Sequence, residues 1–293
     1  MKVGVIINTS SGGCDSESEA EMLDVLRCAG VTNYTMWCGE SHQIKGAFEQ
    51  VARHKPDVLV VLGGDGTIRS AAKACSGTRT YLVPLPGGTL NMLPRALYGC
   101  VSWQDALRSI LAAPVTGTLS GGRVGDELFF VAAVLGAPAL WMEARESIRE
   151  RKIVNAAEKS AAALQAMFNQ KIRYSISSET RGEAEILAIV CPLVSKEMSG
   201  AEQALEAAAV DVENAAQLLG LATAAAFGKW REDKSVRLTK ASHISVQSSS
   251  DIPVFLDGER VSVGERAEIS FVSNAVNVAV PTSEHREGIL TSR

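Results

Sequence analysis

The chain has 293 residues, 46% hydrophobic and 21% charged, with a formal net charge of −4 and a sequence pI near 5.7. That length exceeds one small core and suits two domains. The mild acidity excludes the bulk positive field of a nucleic-acid binder, and no run reaches the ~18 apolar residues needed to span a bilayer.

Lys2 to Asn8 opens the chain as a strand, too short for a signal-peptide core. Thr9 to Asp15 is a Ser/Gly loop, and Glu17 to Ala29 has helical spacing through Met22, Val25 and Leu26. A second strand is predicted over Asn33 to Cys38 and a second helix over Ile44 to His54. Lys55-Pro56-Asp57 then punctuates before the apolar run Val58 to Leu62, which empties into Gly63-Gly64-Asp65-Gly66-Thr67. Ile68 to Cys75 is Ala-rich and helix-compatible. Thr80 to Pro84 gives another strand, followed by Pro86-Gly87-Gly88-Thr89-Leu90-Asn91 and a helix from Trp103 to Leu111. This alternation is the pattern of a mostly parallel, doubly wound α/β sheet.

The texture changes after Ala112-Ala113-Pro114. Val115 to Val124 alternates, Leu128 to Leu135 reads as one buried strand, and Gly121-Gly122 and Gly125-Asp126 read as turns. Pro138 to Gln170 reads as one or two helices. Strands are predicted over Ile172–Ser177, Glu185–Cys191, Val236–Leu238, His243–Val246, Ile252–Leu256 and Ala267–Val272, with an Ala-rich helical excursion over 199–230. Short strands with frequent turns predict a β-sandwich. The division is an α/β domain over 1–115 and a β-rich domain over 116–293, with no internal repeat. Basic clusters at Arg145 to Lys152 and Lys229 to Arg237 also contain acids and read as solvated helix faces. Six scattered cysteines, with no C-x-x-C pair, read as reduced thiols of a cytoplasmic protein.

Three glycine-bearing loops fall at the C-terminal ends of predicted strands, the edge that builds the ligand crevice of a doubly wound sheet. In the first, Asn8, Ser10, Ser11 and Gly12 supply hydroxyls and backbone donors. In the second, Gly63, Gly64 and Gly66 allow positive φ and bring bare N–H groups close to an anion, with Thr67 beside them and a helix N-terminus following. In the third, Gly87 and Gly88 admit close approach, Thr89 can donate to phosphate and Asn91 can read a polar edge. Asp65 is the anomaly: a carboxylate beside phosphates repels them unless it holds a metal or takes a proton. That combination predicts phosphoryl transfer. Arg95, one turn after Asn91, is read either as a surface residue or as facing the same cleft. Asp257-Gly258-Glu259 is read either as an ordinary hairpin turn or as a pair of acids swung toward Asp65. The four histidines fall in no Ser/His/Asp arrangement.

Together these residues resemble the lipid kinase family that contains bacterial diacylglycerol kinases and sphingosine kinases. The resemblance rests on Asn8, Ser11 and Gly12, on Gly63 to Thr67, on Gly88, Thr89 and Asn91, and on Asp257-Gly258-Glu259, in matching order and spacing. The Gly63 to Thr67 segment alone also occurs in NAD kinases and is similar to the phosphofructokinase loop. What the resemblance implies is an N-terminal nucleotide domain and a C-terminal β-sandwich with a lipid cleft between them. It implies ATP on the three loops, with Mg²⁺ bridging its phosphates, and carries the family's essential acids onto Asp65, Asp257 and Glu259, catalytic and metal-directed. Asp65 or Glu259 would deprotonate the lipid hydroxyl. The partner implied is a membrane lipid, met transiently at the inner membrane surface, and Arg145 lies where the family begins its lipid-facing helices. A homodimer stays open.

The chain departs from the pattern at Gly13-Cys14, where a basic residue is common. It departs again at Met198 to Val212, whose single Asp211 does not carry over the family's structural metal. An NAD kinase-like kinase of a soluble hydroxyl compound and a silent nucleotide- or lipid-binding protein are the alternative readings.

Overall fold

Val3–Asn8 (β1) and Val58–Gly63 (β3) are short, apolar and rich in β-branched residues, and every residue of β1 is buried. Such runs suit the interior of a parallel sheet covered on both faces by crossover helices. The computed structural model, which describes residues 1–136, 171–176, 180–195, 197–198, 202–211 and 230–282, shows that arrangement. Tyr34–Gly39 (β2) and Tyr81–Pro86 (β4) complete a parallel order β2-β1-β3-β4. The order reverses between β1 and β3, so the loops after these strands open into the crevice of the sheet.

Five helices accompany these strands: Ser18–Cys28 (α1), Ile44–Ala52 (α2), Asp65–Cys75 (α3), Met92–Tyr98 (α4) and Trp103–Ala112 (α5). In α3, Ile68, Ala71, Ala72 and Cys75 are buried, a spacing that turns one face onto the sheet. Ser102 caps α5 by accepting the Asp105 N–H.

Among the described residues, twelve strands and one 3-10 turn at Trp230–Glu232 follow: Pro114–Val124 (β5), Glu127–Phe129 (β6), Ala132–Gly136 (β7), Ile172–Ser175 (β8), Arg181–Ala184 (β9), Ile186–Val190 (β10), Leu205–Val210 (β11), Val236–Ala241 (β12), His243–Gln247 (β13), Pro253–Leu256 (β14), Glu259–Ser262 (β15) and Arg266–Pro281 (β16). Among the described residues an antiparallel sheet runs β12-β11-β10-β7-β14-β15. The first sheet continues past β4 through β16 to β13, β8 and β9. β16 runs through both halves. Its N-terminal part pairs with β13, and its C-terminal part lies between β5 and β4, with an irregularity between Val272 and Val276. Val276, Val278 and Val280 join the core of the parallel part, whereas Ala267 and Ile269 join the sandwich core with Phe129, Leu187 and Val254.

Four sequence readings are corrected. The apolar run Leu128 to Leu135 is not one strand; it breaks at Phe130–Val131, where the chain leaves one sheet for the other. Gly121 and Gly122 are not a turn but lie inside β5, because a Cβ on Gly122 would fall 2.0 Å from the Phe129 ring. The helical excursion of 199–230 contains β11, all six residues buried between β10 and β12, so packing overrides alanine's helix propensity. The strand predicted over Ala267–Val272 extends to Pro281. The helices expected over Pro138 to Gln170, with Arg145, lie outside the described residues, as do 212–229.

Candidate active site

The three glycine loops meet backbone to backbone at the crevice. Gly13 N–H donates to the Gly87 carbonyl at 2.8 Å, and Gly87 N–H donates to the Gly63 carbonyl at 3.0 Å. A Cβ on Gly88 would lie 2.6 Å from the Gly64 Cα, and one on Gly87 would lie 2.7 Å from the Gly63 nitrogen. None of Gly63, Gly64, Gly66, Gly87 or Gly88 has positive φ, so the expectation of left-handed backbone there is corrected. These glycines are needed at Gly87 and Gly88 because one loop rests on another.

Side chains lock the loops. Asn8, 5% exposed, donates to Thr67 Oγ1 at 2.8 Å and accepts from the Ser10 N–H and the Ser41 hydroxyl. Ser11 Oγ accepts the Gly64 N–H at 2.9 Å, and Ser10 Oγ accepts the Ser41 N–H. Gly12 turns toward Thr89, whose Oγ1 would be 3.9 Å from a Cβ there. Asn91, in the left-handed region at φ 51°, accepts the Gly88 N–H and donates back to the Gly88 carbonyl. Helix α3 starts at Asp65, three residues earlier than predicted. Its first intrahelical bond runs from Ile68 N–H to the Gly64 carbonyl, so the preceding N–H groups face out of its N-terminus.

Beside that N-terminus lies a cavity of about 320 Å³, lined by Asn8, Ser11, Gly64, Gly66, Thr67 and, from the second sheet, Glu259. Ser41, Ile44 and Ser70 line it as well and were missed from the sequence. The signal for Ser41 was Gly39 at the end of a strand on the same edge. Among the described lining residues there is no lysine or arginine. Cys14 stands nearby, with its Sγ 3.8 Å from the Gly87 carbonyl, and burial pushes its thiol up to about 11. Arg95 is exposed and lines a separate cavity of about 560 Å³ with Asp15, Glu21 and Trp103.

The three acids divide by environment. Asp65 Oδ1 accepts the Met92 N–H at 2.6 Å and its Oδ2 the Asn91 N–H at 2.9 Å, so it holds the N-terminus of α4. Burial raises its carboxyl above the ordinary value, against those two donors and Arg95. Asp257 and Gly258 form the two-residue turn between β14 and β15, both with positive φ as a type I′ hairpin requires. The Asp257 carboxylate, buried, accepts from Phe130 N–H at 2.7 Å, Val131 N–H at 2.8 Å and Ala132 N–H at 2.9 Å. Burial pushes it up to about 6, opposed by the three donors, and the charge of Asp65 adds to the rise. Glu259 alone is open to the cavity, its Cδ 3.5 Å from where a Cβ on Gly66 would sit.

Among the described residues no three His, Cys, Asp or Glu side chains are grouped to hold a metal by themselves, so the Mg²⁺ expected at Asp65, Asp257 and Glu259 would have to come with the nucleotide. A carboxylate offers about four lone-pair sites. Asp65 lies beside the cavity with its carboxylate only partly engaged, so it fits an outer contact to a nucleotide-borne Mg²⁺, as does Glu259. Asp257, buried and holding three backbone donors, does not fit.

The site thus combines an α/β fold bearing three glycine loops with one acid that the second sheet returns to them. Residues 2–120 match the family model described as the diacylglycerol kinase catalytic domain. The fold is shared with a structure described as a diacylglycerol kinase from Bacillus anthracis str. Sterne, 15% identical with a TM-score of 0.65, covering 94% of this chain and 96% of that one. Two further Bacillus anthracis chains, each 16% identical, give TM-scores of 0.69 and 0.71 over 94% of this chain and 94% and 96% of theirs. The match to the diacylglycerol kinase catalytic domain covers residues 2–120 of 293, and the likeness to the three solved structures, at 15–16% identity, is one of fold.

Proposed function

We propose that the chain transfers the γ-phosphoryl group of ATP, bound with Mg²⁺, to the hydroxyl of a diacylglycerol-like or sphingoid lipid. The observation that carries this reading is Glu259, an acid of the second sheet placed over Gly66 in the cavity at the α3 N-terminus. The out-facing N–H groups of α3 and the hydroxyls of Ser11 and Thr67 bind and orient the phosphates. Mg²⁺ supplies neutralisation of phosphate charge and polarisation of the terminal phosphoryl.

Glu259 orients the acceptor hydroxyl and takes its proton as the oxygen attacks phosphorus and ADP departs. A loose transition state needs no strong base, so positioning accounts for most of the rate. Asp65 keeps the third loop in place and would help hold Mg²⁺ through an outer contact. The acceptor is met at a bilayer surface by transient, peripheral contact.

Transfer from γ-labelled ATP to a lipid panel in mixed micelles tests this. Label should appear in a lipid, and Glu259→Gln should lower kcat about 10²-fold while ATP affinity is retained. A folded, ATP-binding protein that labels no lipid would sink the reading, and label entering a soluble alcohol would favour the NAD kinase-like alternative.

A further inference from the structure

Glu259 is the first residue of β15, which among the described residues forms the edge of the antiparallel sheet and pairs with β14 alone over four residues. Short edge hairpins are weakly held by their own ladder. A displacement of about 1 Å at a reacting group costs on the order of 10²-fold in rate. Pairing with β7 anchors β14, but β15, at the edge, needs further support.

Two further contacts supply it, one from α3 and one from the bend between the sheets. Arg69, one turn beyond Asp65 on α3, has a side chain only 16% exposed. Its Nη1 donates to the Leu256 carbonyl at 3.4 Å, and its Nε lies 3.4 Å from Glu127 Oε2. Lys73, one turn further, is 2.9 Å from Glu127 Oε1. One helix of the α/β half therefore grips both β14 and β6. The rigid, planar guanidinium suits two partners at fixed angles, which a lysine meets only in part. In the second contact, Asp257 gathers the N–H groups of Phe130, Val131 and Ala132 and donates its own N–H to the Ala132 carbonyl. It thereby ties the hairpin turn to the bend where the chain passes between the sheets.

We propose that Arg69 and Asp257 are positioning residues that clamp the β14–β15 hairpin through these two contacts and hold Glu259 over the α3 N-terminus, and that Asp257 is no metal ligand. The catalytic consequence rests on the function proposed above; the clamp itself does not.

Arg69→Met, Arg69→Lys and Glu127→Gln test the first contact, read by kcat, by ATP affinity and by hydrogen exchange of the amides from Glu259 to Ser262. Arg69→Met should lower kcat about 10- to 100-fold, leave the ATP Kd within about twofold, and speed exchange in β15 at least tenfold; Arg69→Lys should recover part of each. Wild-type exchange in β15 with Arg69→Met overturns the clamp whether or not any lipid is phosphorylated. Unchanged kcat with loosened β15 overturns only its catalytic consequence.

Asp257→Asn tests the second contact. Faster exchange at residues 130–132 and in β15, equal with and without Mg²⁺, is expected. Weakened Mg²⁺–ATP binding with wild-type exchange at both places would instead make Asp257 a ligand and overturn the assignment.

Discussion

The Glu259 carboxylate oxygens lie 3.6 and 3.7 Å from the point where a Cβ on Gly66 would stand, bringing two segments nearly two hundred residues apart to the first turn of α3. This contact separates two roles for glycine in the site. At Gly66 the missing Cβ leaves room between the helix and Glu259, whereas at Gly88 it lets one loop rest on another.

Gly66→Ala should therefore fold normally. The new methyl meets Glu259 at ordinary contact distance, and alanine improves helix propensity by up to ~1 kcal/mol. The methyl nonetheless occupies the cavity, so KM for ATP should rise about tenfold or more while Tm stays level or rises. Thermal melting beside steady-state kinetics shows whether the two effects part in this way.

Gly88→Ala should do the reverse. Its Cβ would fall 2.6 Å from the Gly64 Cα, a backbone atom that cannot swing aside. The second and third loops must separate, at a cost of about 1–3 kcal/mol as for overpacked cores. Nucleotide affinity should fall with stability. Wild-type melting and affinity in this variant would mean the loops have slack.

Asp65→Asn removes the charge from a carboxylate that accepts the Asn91 and Met92 N–H groups at the start of α4. An amide offers one oxygen and turns an NH₂ on the other donor, which should lower stability by about 1–2 kcal/mol. Denaturant unfolding should detect this loss in Asp65→Asn but not in Glu259→Gln. Equal stability of the two variants would contradict a bracing role for Asp65.

The second sheet carries its own titrating pair. Glu206, buried in β11, accepts from Arg231 Nε at 2.6 Å and Nη2 at 2.9 Å, and from the Ser195 hydroxyl. Burial alone would raise its carboxyl; the guanidinium and Ser195 outweigh that and hold it below the ordinary value. The sign follows: this stability is present above the ordinary carboxylate range and is lost as pH falls through the lowered value. Arg231→Met leaves an unpaired buried charge, with an expected loss of about 3–5 kcal/mol at neutral pH. In that variant Glu206 should titrate upward, so mild acidification should raise its Tm, opposite to this pair's effect in the wild type. A Tm series against pH for both proteins checks the inversion.

Much of the parallel half was legible because its residues obey local rules. The β-branched runs of β1 and β3 are strands by composition, and the three loops after β1, β3 and β4 sit on one edge because parallel strands put their C-terminal ends together. Asp257-Gly258 was legible as a hairpin turn, and it is one. Its two positive φ values do not prevent Asp257 from also tying the sheets together. The second half was read less well. Alanines in β11 take their conformation from the flanking strands β10 and β12, and Gly122 in β5 from the Phe129 ring on the next strand, packing that no local propensity reports.

By itself the sequence determined which side chains could meet a phosphate, since glycine loops, hydroxyls and acids keep that chemistry wherever they stand. Which acid faces the cavity was decided only by tertiary structure. A carboxylate's task depends on which donors reach it first: backbone N–H groups from other loops and sheets claimed Asp65 and Asp257, and Glu259 was left facing the α3 N-terminus.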